Sequence, residues 1–141
     1  MPEIHDVNEL DRQVIEEFRA NGGNVGGYLA GAPVLLLTTT GARSGQQRTT
    51  PLVYLSEGGQ IYIFAGNRGA PTNPAWYHNL LAHPDVTVEV GAEKFAARAI
   101  VLDSAEAERL GRIQIQKIPS LAELLEKMTR KVPAILLQRT V

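Results

Sequence analysis

The segment from residue 34 to residue 55 constrains the fold more than any other part of the sequence, because it predicts two neighbouring strands joined by a short polar loop. The apolar run from Val34 to Leu37 leads into the loop, and an alternating run from Arg48 to Leu55 leads out of it. The loop carries glycine, arginine, serine and glutamine, namely Gly41, Arg43, Ser44, Gly45, Gln46 and Gln47. Hydrogen-bond donors, positive charge and backbone freedom suit a loop that holds a phosphorylated ligand.

Strand-like patterns recur along the rest of the chain. Strands are predicted at residues 34–40, 48–56, 61–65, 86–90, 94–102 and 134–138. Short turns such as residues 57–60 separate most of them, which predicts antiparallel pairing. Pro51 cannot donate to a strand ladder, so it predicts an edge position or a bulge in the second strand.

Apolar residues at helical spacing predict about four helices: residues 6–20, residues 74–82, about a dozen residues after Asp103 or Ser104, and a segment after Ser120. Asp6 is predicted to cap the first helix, and Asn73 the second, with Pro74 in its first turn. The first helix is predicted to cover a sheet face; the alternatives are closure over a ligand or contact with a membrane. These elements favour a mainly β fold of the α+β class, a six-stranded antiparallel barrel or roll with outer helices, over a doubly wound sheet.

Size and composition exclude several classes of protein. The 141 residues predict one domain, and a formal net charge of -1 argues against a general nucleic-acid binder. The sequence has no cysteine, which excludes disulfides, thiolate zinc sites and cysteine nucleophiles and suits a cytoplasmic protein. The histidines, His5, His78 and His83, lack metal-ligand spacing, so no metal site is predicted.

Two polar loops are expected to converge on one site, because in a three-strand meander the loops after the first and third strands leave the same end of the sheet. The first supplies Arg43 and Arg48, the second Asn67 and Arg68. This concentration of donors predicts an anionic ligand, with phosphate the best match; the alternative is that the arginines are solvated surface charges. Without a metal set or an evident nucleophile, catalysis would require a bound organic cofactor. Trp76 is either core packing or a wall for a flat aromatic ring.

Two motifs resemble those of the deazaflavin-dependent nitroreductase family, whose members use coenzyme F420. They are TTTGARSGQQRTTPL at residues 38–52 and AGNRGAPTNPAWYHNL at residues 65–80. The resemblance extends over roughly residues 6–138 and implies a split β-barrel of the FMN-binding type. It is expected to occupy residues 1–141 as a single domain.

The resemblance implies a role for each matched position. The first loop would hold the phosphate and acidic tail of F420, Pro51 and Leu52 would line the deazaflavin ring, and the second loop and following helix would complete the site. Ala42 departs from the family pattern, in which arginine is frequent. The implied cofactor-binding residues are Arg43, Ser44, Gly45, Gln46, Gln47, Arg48, Thr50, Pro51, Leu52, Ala65, Gly66, Asn67, Arg68, Gly69, Asn73, Pro74, Trp76, Tyr77 and Asn79.

The predicted substrate wall is aliphatic. Ile118, Leu121 and Leu124 stand where a nitroimidazole-activating member of the family has tyrosines over its substrate. This substitution favours a flat apolar acceptor such as a quinone or an unsaturated lactone over a nitroimidazole.

The sequence therefore predicts hydride transfer from reduced F420 to a small apolar acceptor: a quinone, an enone or unsaturated lactone, or a nitro compound. The alternatives are an FMN-dependent reductase of the same fold and a non-catalytic F420 carrier. The proton donor is unassigned among Tyr28, Tyr54, Tyr77 and solvent. The chain is expected to be a monomer or homodimer in the cytoplasm, with weak peripheral contact with the inner face of the cell membrane as an alternative.

Overall fold

The computed structural model describes residues 2–26, 29–126, 128 and 130–140 and contains a closed antiparallel β-barrel. Its strands are β1 (Val34–Thr40), β2 (Gln47–Glu57), β3 (Gln60–Phe64), β4 (Asp85–Val90), β5 (Glu93–Val101) and β6 (Ala134–Arg139). Around the barrel the order is β1-β2-β3-β6-β5-β4, and β4 pairs with β1 to close it. All six predicted strands are present, with ends that differ by one residue or so.

Four α-helices lie in the described part of the chain: α1 (Pro2–Ala20), α2 (Ala75–Ala82), α3 (Ser104–Lys117) and α4 (Leu121–Glu126). Two predicted caps are wrong. Helix α1 begins at Pro2, a residue that fits a first turn because its missing N–H needs no partner there, so Asp6 lies inside the helix. Pro74 has an extended backbone before α2, and no side chain caps that helix. The predicted cap of α3 is present, since the Asp103 side chain accepts from Glu106 N.

Strand β1 has apolar residues on both faces because both faces are covered. Leu35 and Leu37 pack in the barrel interior, and the alternate residues Val34 and Leu36 pack with Phe18 of α1. This double burial explains the continuous apolar run, which an exposed strand could not keep.

Helix α1 is fixed to the barrel at its C-terminal end. Arg19 donates from two nitrogens to the Glu89 carboxylate of β4, at 3.1 and 2.8 Å. Just beyond the helix, a Cβ on Gly23 would stand 2.7 Å from the Gly91 Cα, which leaves no room for a side chain. No helix among the described residues combines the length and apolar character needed to cross a membrane.

The first half of β2 has a strand neighbour on one side only. It pairs with β1 from Gln47 to Val53, whereas its pairing with β3 begins at Tyr54. Pro51 lies opposite Leu36 in an unbroken register, so the predicted edge position is present and the predicted bulge is not. The open side of this half-strand borders a large cavity.

Candidate functional site

A cavity of about 860 Å³, the main cavity, lies where β2 lacks its second neighbour. It is bordered by β2, the loop after β3, the start of α2, one face of α3 and the segment before β6. The lining residues are Asp11, Leu29, Thr50, Pro51, Leu52, Val53, Phe64, Gly66, Asn67, Pro74, Trp76, Tyr77, Val101, Leu102, Ser104, Ala107, Glu108, Gly111, Arg112, Gln114, Ile115, Leu121, Met128, Arg130, Lys131, Val132 and Pro133. A volume of this size accommodates a ring system together with a second small molecule.

The inner walls of the main cavity are mostly apolar. Pro51 and Trp76 are buried there, with Leu52 and Phe64 partly buried beside them. Trp76 belongs to the barrel core, which confirms the core-packing interpretation. It also borders the cavity, and its contact with a flat aromatic ring stays a prediction. Apolar walls with an indole are suited to a flat aromatic ligand.

Two glycines leave space in the cavity that the backbone does not require. A Cβ on Gly66 or Gly111 would have no atom within 4 Å, and neither residue has a positive φ. Gly66 has an ordinary helical φ of -75°, a conformation that any residue adopts. Side chains at these two positions would therefore project into the cavity and reduce the room for a ligand.

The loop between β1 and β2 is shaped by its own short hydrogen bonds. Gly41 N donates to Gln46 O at 2.8 Å, and Gln46 N donates to the Ser44 Oγ at 3.1 Å. Gly41 is buried, and a Cβ there would lie 2.5 Å from the Ser44 Oγ. Gly45 has φ +72°, which favours glycine.

Arg43 and Arg48 of this region are exposed and form no ion pair with any described residue. Since the chain has nearly equal numbers of acidic and basic residues, two neighbouring unpaired arginines are a local excess of positive charge. Neither lines the main cavity, so they are available to the part of a ligand that extends beyond it.

Asn79 joins the first loop to helix α2. Its Oδ1 accepts from Ala42 N at 3.0 Å, and its Nδ2 donates to the Thr39 Oγ1 at 3.2 Å. Asn79 is one of the residues for which the sequence predicts a cofactor contact. In the structure its amide positions the loop, and the bond to residue 42 uses the backbone, so it does not depend on the side chain there.

Arg130 holds the second loop, and sequence reasoning did not identify it. Its guanidinium donates to the Asn73 Oδ1 at 2.5 Å and to the backbone carbonyls of Ala65 (3.0 Å), Gly66 (3.2 Å), Ala70 (3.2 Å) and Thr72 (3.1 Å). This explains why Asn73 does not cap α2. No local pattern marks Arg130, because its partners in the second loop lie 57 to 65 residues away along the chain.

The predicted cofactor residues fall into two groups. Thr50, Pro51, Leu52, Gly66, Asn67, Pro74, Trp76 and Tyr77 line the main cavity. The second group does not line it: Arg43, Ser44, Gly45, Gln46, Gln47 and Arg48 lie on the exposed loop and strand end, and the others are Ala65, Gly69, Asn73 and Asn79. The side chain of Arg68 is outside the described part of the structure.

The predicted substrate and proton-donor residues are divided between two cavities. Leu121 and Tyr77 line the main cavity, whereas Ile118 and Tyr54 line a second cavity of about 490 Å³. Gln114, which the sequence did not single out, lines both. Tyr28 and the side chain of Leu124 are outside the described part of the chain.

The closed barrel, its interrupted strand pairing and the cavity at that interruption define a split-barrel protein with a candidate binding cavity beside its second strand. The chain belongs to the F420H(2)-dependent quinone reductase family, whose model matches residues 10–139. The predicted split-barrel fold and the resemblance to deazaflavin-dependent reductases are confirmed, and F420 is the cofactor of this family.

Known proteins and structures agree with this assignment. The chain is 46% identical over 83 residues to an F420H(2)-dependent quinone reductase of Mycobacterium tuberculosis; the match covers 58% of this chain and 56% of that protein, so the chain spans about half the length of that relative. It is 34% identical to a solved F420-H2 dependent reductase, FDR-A, with a TM-score of 0.67 and coverage of 75% and 94% of the two chains. A solved domain-swapped dimer is 30% identical, with a TM-score of 0.69 and coverage of 98% and 100%.

Proposed function

We propose that the protein is an F420H2-dependent oxidoreductase that delivers a hydride from the reduced deazaflavin to a small, flat, apolar acceptor. Candidate acceptors are a quinone, an enone or unsaturated lactone, and a nitro compound. The observation that carries the proposal is the main cavity of about 860 Å³ at the open half of β2, with Trp76 and Pro51 in its walls. Arg43 lies in the loop before this strand and Arg48 at the beginning of the strand; both are unpaired among the described residues and suit an anionic tail.

Strand β2 gives the two parts of the cofactor a common support. Pro51 follows Arg48 by three residues, which corresponds to about 10 Å along a strand. The ring would lie against Pro51, Leu52 and Trp76, and the phosphate and acidic tail would reach Ser44 and the arginines. Gly66 adds support, because its missing side chain leaves room beside the ring.

When bound, the reduced deazaflavin supplies a hydride, and a quinone becomes a hydroquinone by accepting that hydride and one proton. The chain contributes position and a largely apolar enclosure that excludes water. Tyr77 lines the main cavity and is the proton donor we favour among the three tyrosine candidates, with water as the alternative. Tyr54 is less suited, since it lines the second cavity.

A titration of the protein with F420, followed by cofactor fluorescence, tests the proposal. We expect saturable binding that Arg48→Ala weakens roughly 10- to 100-fold, because a charge-assisted contact with the anionic tail is lost. Arg98→Ala is the matched control. Arg98 is an exposed arginine of β5, three strands away from β2 in the order around the barrel, and it pairs with Asp85. It does not line the main cavity. Failure to bind F420, or equal affinity for FMN, would overturn the assignment.

Catalysis is tested separately from binding. Enzymatically reduced F420 is offered with a panel of quinones, unsaturated lactones and nitro compounds, and its reoxidation is followed by absorbance. Turnover with at least one acceptor is expected. Tight F420 binding without turnover of any acceptor would favour the non-catalytic carrier, and a copurifying flavin spectrum would favour the FMN-dependent alternative.

A further inference from the structure

Gln114 is a largely buried polar residue whose side chain has no hydrogen-bond partner among the described residues. It lies on α3, is 4% exposed, and borders both the main and the second cavity. Among the described residues no fully buried side-chain nitrogen or oxygen lacks a partner, so the Gln114 amide is open to the cavities that it lines. A molecule in the cavity can therefore form the hydrogen bonds that the described residues do not supply.

The helix around Gln114 leaves that space open. Ala107, Gly111 and Gln114 follow one another at helical spacing along the cavity wall. A Cβ on Gly111 would meet no atom within 4 Å, although glycine in a helix interior lowers helix stability relative to alanine. The sequence thus keeps an unfavourable helix residue where a side chain would enter the cavity one turn from Gln114.

We propose that Gln114 binds an oxygen of the acceptor, with its Nε2 donating to a carbonyl, and that Gly111 preserves the room for the acceptor beside it. This proposal rests on the proposed function and names the residue that selects the substrate of the same site. The buried residues of the cavity wall are Pro51, Pro74, Trp76 and Gln114, and Gln114 alone among them carries both a donor and an acceptor.

The consequence is selection for oxygen-bearing acceptors. An apolar acceptor that enters the cavity displaces the water around the amide, and a hydrocarbon offers nothing in return. A carbonyl accepts from Nε2, and a hydroquinone hydroxyl can donate to Oε1 after reduction. Sites that hold a buried hydrogen-bonding group reject ligands that leave it unpaired.

The test measures binding of 2-methyl-1,4-naphthoquinone to the protein loaded with oxidised F420, where no turnover occurs, and to the cofactor-free protein. Gln114→Leu should weaken quinone binding about tenfold while F420 affinity stays unchanged. The infrared carbonyl stretch of the bound quinone should move to higher wavenumber in the variant, because a hydrogen bond is lost. Binding of 2-methylnaphthalene, which has no carbonyl, should not weaken.

Two further variants separate this role from a structural one. Gln116→Leu changes an exposed glutamine on the same helix that does not line either cavity, and it should leave quinone binding unchanged. Gly111→Ala should raise the melting temperature and yet weaken quinone binding several-fold, because the added methyl group occupies the cavity. If Gln114→Leu fails to fold, Gln114→Met serves as the size-matched variant.

The outcomes are distinct. Unchanged quinone affinity and unchanged carbonyl frequency in a folded Gln114 variant that binds F420 would overturn the role of Gln114. If the wild-type protein does not bind F420, the proposed function is overturned instead. In that case the quinone titration of the cofactor-free protein still decides the role of Gln114.

Discussion

Asn79 shows how one side chain can control a loop that it does not belong to. Both ends of its amide are used, one by the backbone of Ala42 and one by Thr39. We expect Asn79→Ala to lower the free energy of unfolding by about 1–2 kcal/mol, since one exposed and one partly buried hydrogen bond are removed. The loop that carries Arg43 and leads to Arg48 should lose its position, so F420 affinity should fall several-fold in a fluorescence titration.

Asn24→Ala provides the comparison, because Asn24 is an exposed asparagine whose amide bonds only to a nearby backbone carbonyl. It should leave F420 affinity unchanged. Wild-type affinity in a correctly folded Asn79→Ala protein would show that Asn79 does not position the loop.

At the residue scale, the sequence predicts the roles of residues whose contacts lie within a few positions along the chain. The glycines, arginines and Ser44 of the first loop could be predicted because their turn is built from contacts within a few residues. Arg130 and Gln114 could not, because their significance depends on segments that only the folded barrel brings together. The polar atoms of Asn73 and Asn79 were predicted to serve the helix start and the ligand, but long-range partners use them.

At the scale of secondary-structure elements, the attachment of α1 has a pH dependence. The hydrogen bond from Arg19 holds the pKa of Glu89 below its usual value of 4.5, although burial acts in the opposite direction. A lowered pKa contributes stability above pH 4.5, and that contribution is lost as the pH falls through the folded-state pKa. We expect Arg19→Ala to destabilise the protein by about 1–2 kcal/mol at pH 7, because it leaves Glu89 without its partner.

Urea unfolding at pH 7 and at pH 3.5 measures this effect. The difference between wild type and Arg19→Ala should shrink at the lower pH, because the stability that comes from the lowered pKa of Glu89 is progressively lost as the pH falls below 4.5 toward the folded-state pKa. Arg12→Ala removes exposed pairs with Glu9 and Glu16 on the same helix and should change stability little. A difference that is equal at both pH values would show that the Glu89 carboxylate is not the cause.

The second loop depends on a single guanidinium from a distant segment. Arg130→Lys keeps the positive charge but loses the planar group that reaches several carbonyls at once. We expect faster hydrogen exchange at Gly69 and Ala70, whose amides bond within the loop, while exchange in the barrel strands stays slow. Lys131→Ala, at the neighbouring exposed position, is the control, and unchanged exchange in the Arg130 variant would show that the loop is stable by itself.

At the scale of the whole molecule, the sequence patterns predict the hairpins of the barrel but not the strand pairings that close it. The hairpins β1–β2, β2–β3 and β4–β5 join neighbours in sequence, so alternation and turn residues indicate them. Closure requires β1 to pair with β4, and β3 and β5 to pair with β6 from the end of the chain. These pairings leave no local pattern, and the family resemblance supplied them. The main cavity follows from the same long-range arrangement.

The distribution of charge over the molecule predicts how salt affects the cofactor. The chain has a net charge of -1, so any attraction for an anionic ligand comes from a local group such as Arg43 and Arg48. These side chains are exposed, and salt screens exposed charges over about 10 Å at 0.1 M and about 3 Å at 1 M ionic strength. F420 affinity should therefore decrease several-fold between these concentrations, and Arg48→Ala should reduce the slope of affinity against salt concentration.

A deazaflavin riboside without phosphate and tail should bind independently of salt, since it would contact only the apolar cavity. Equal slopes for wild type, Arg48→Ala and the uncharged riboside would contradict the assignment of the first loop to the acidic tail.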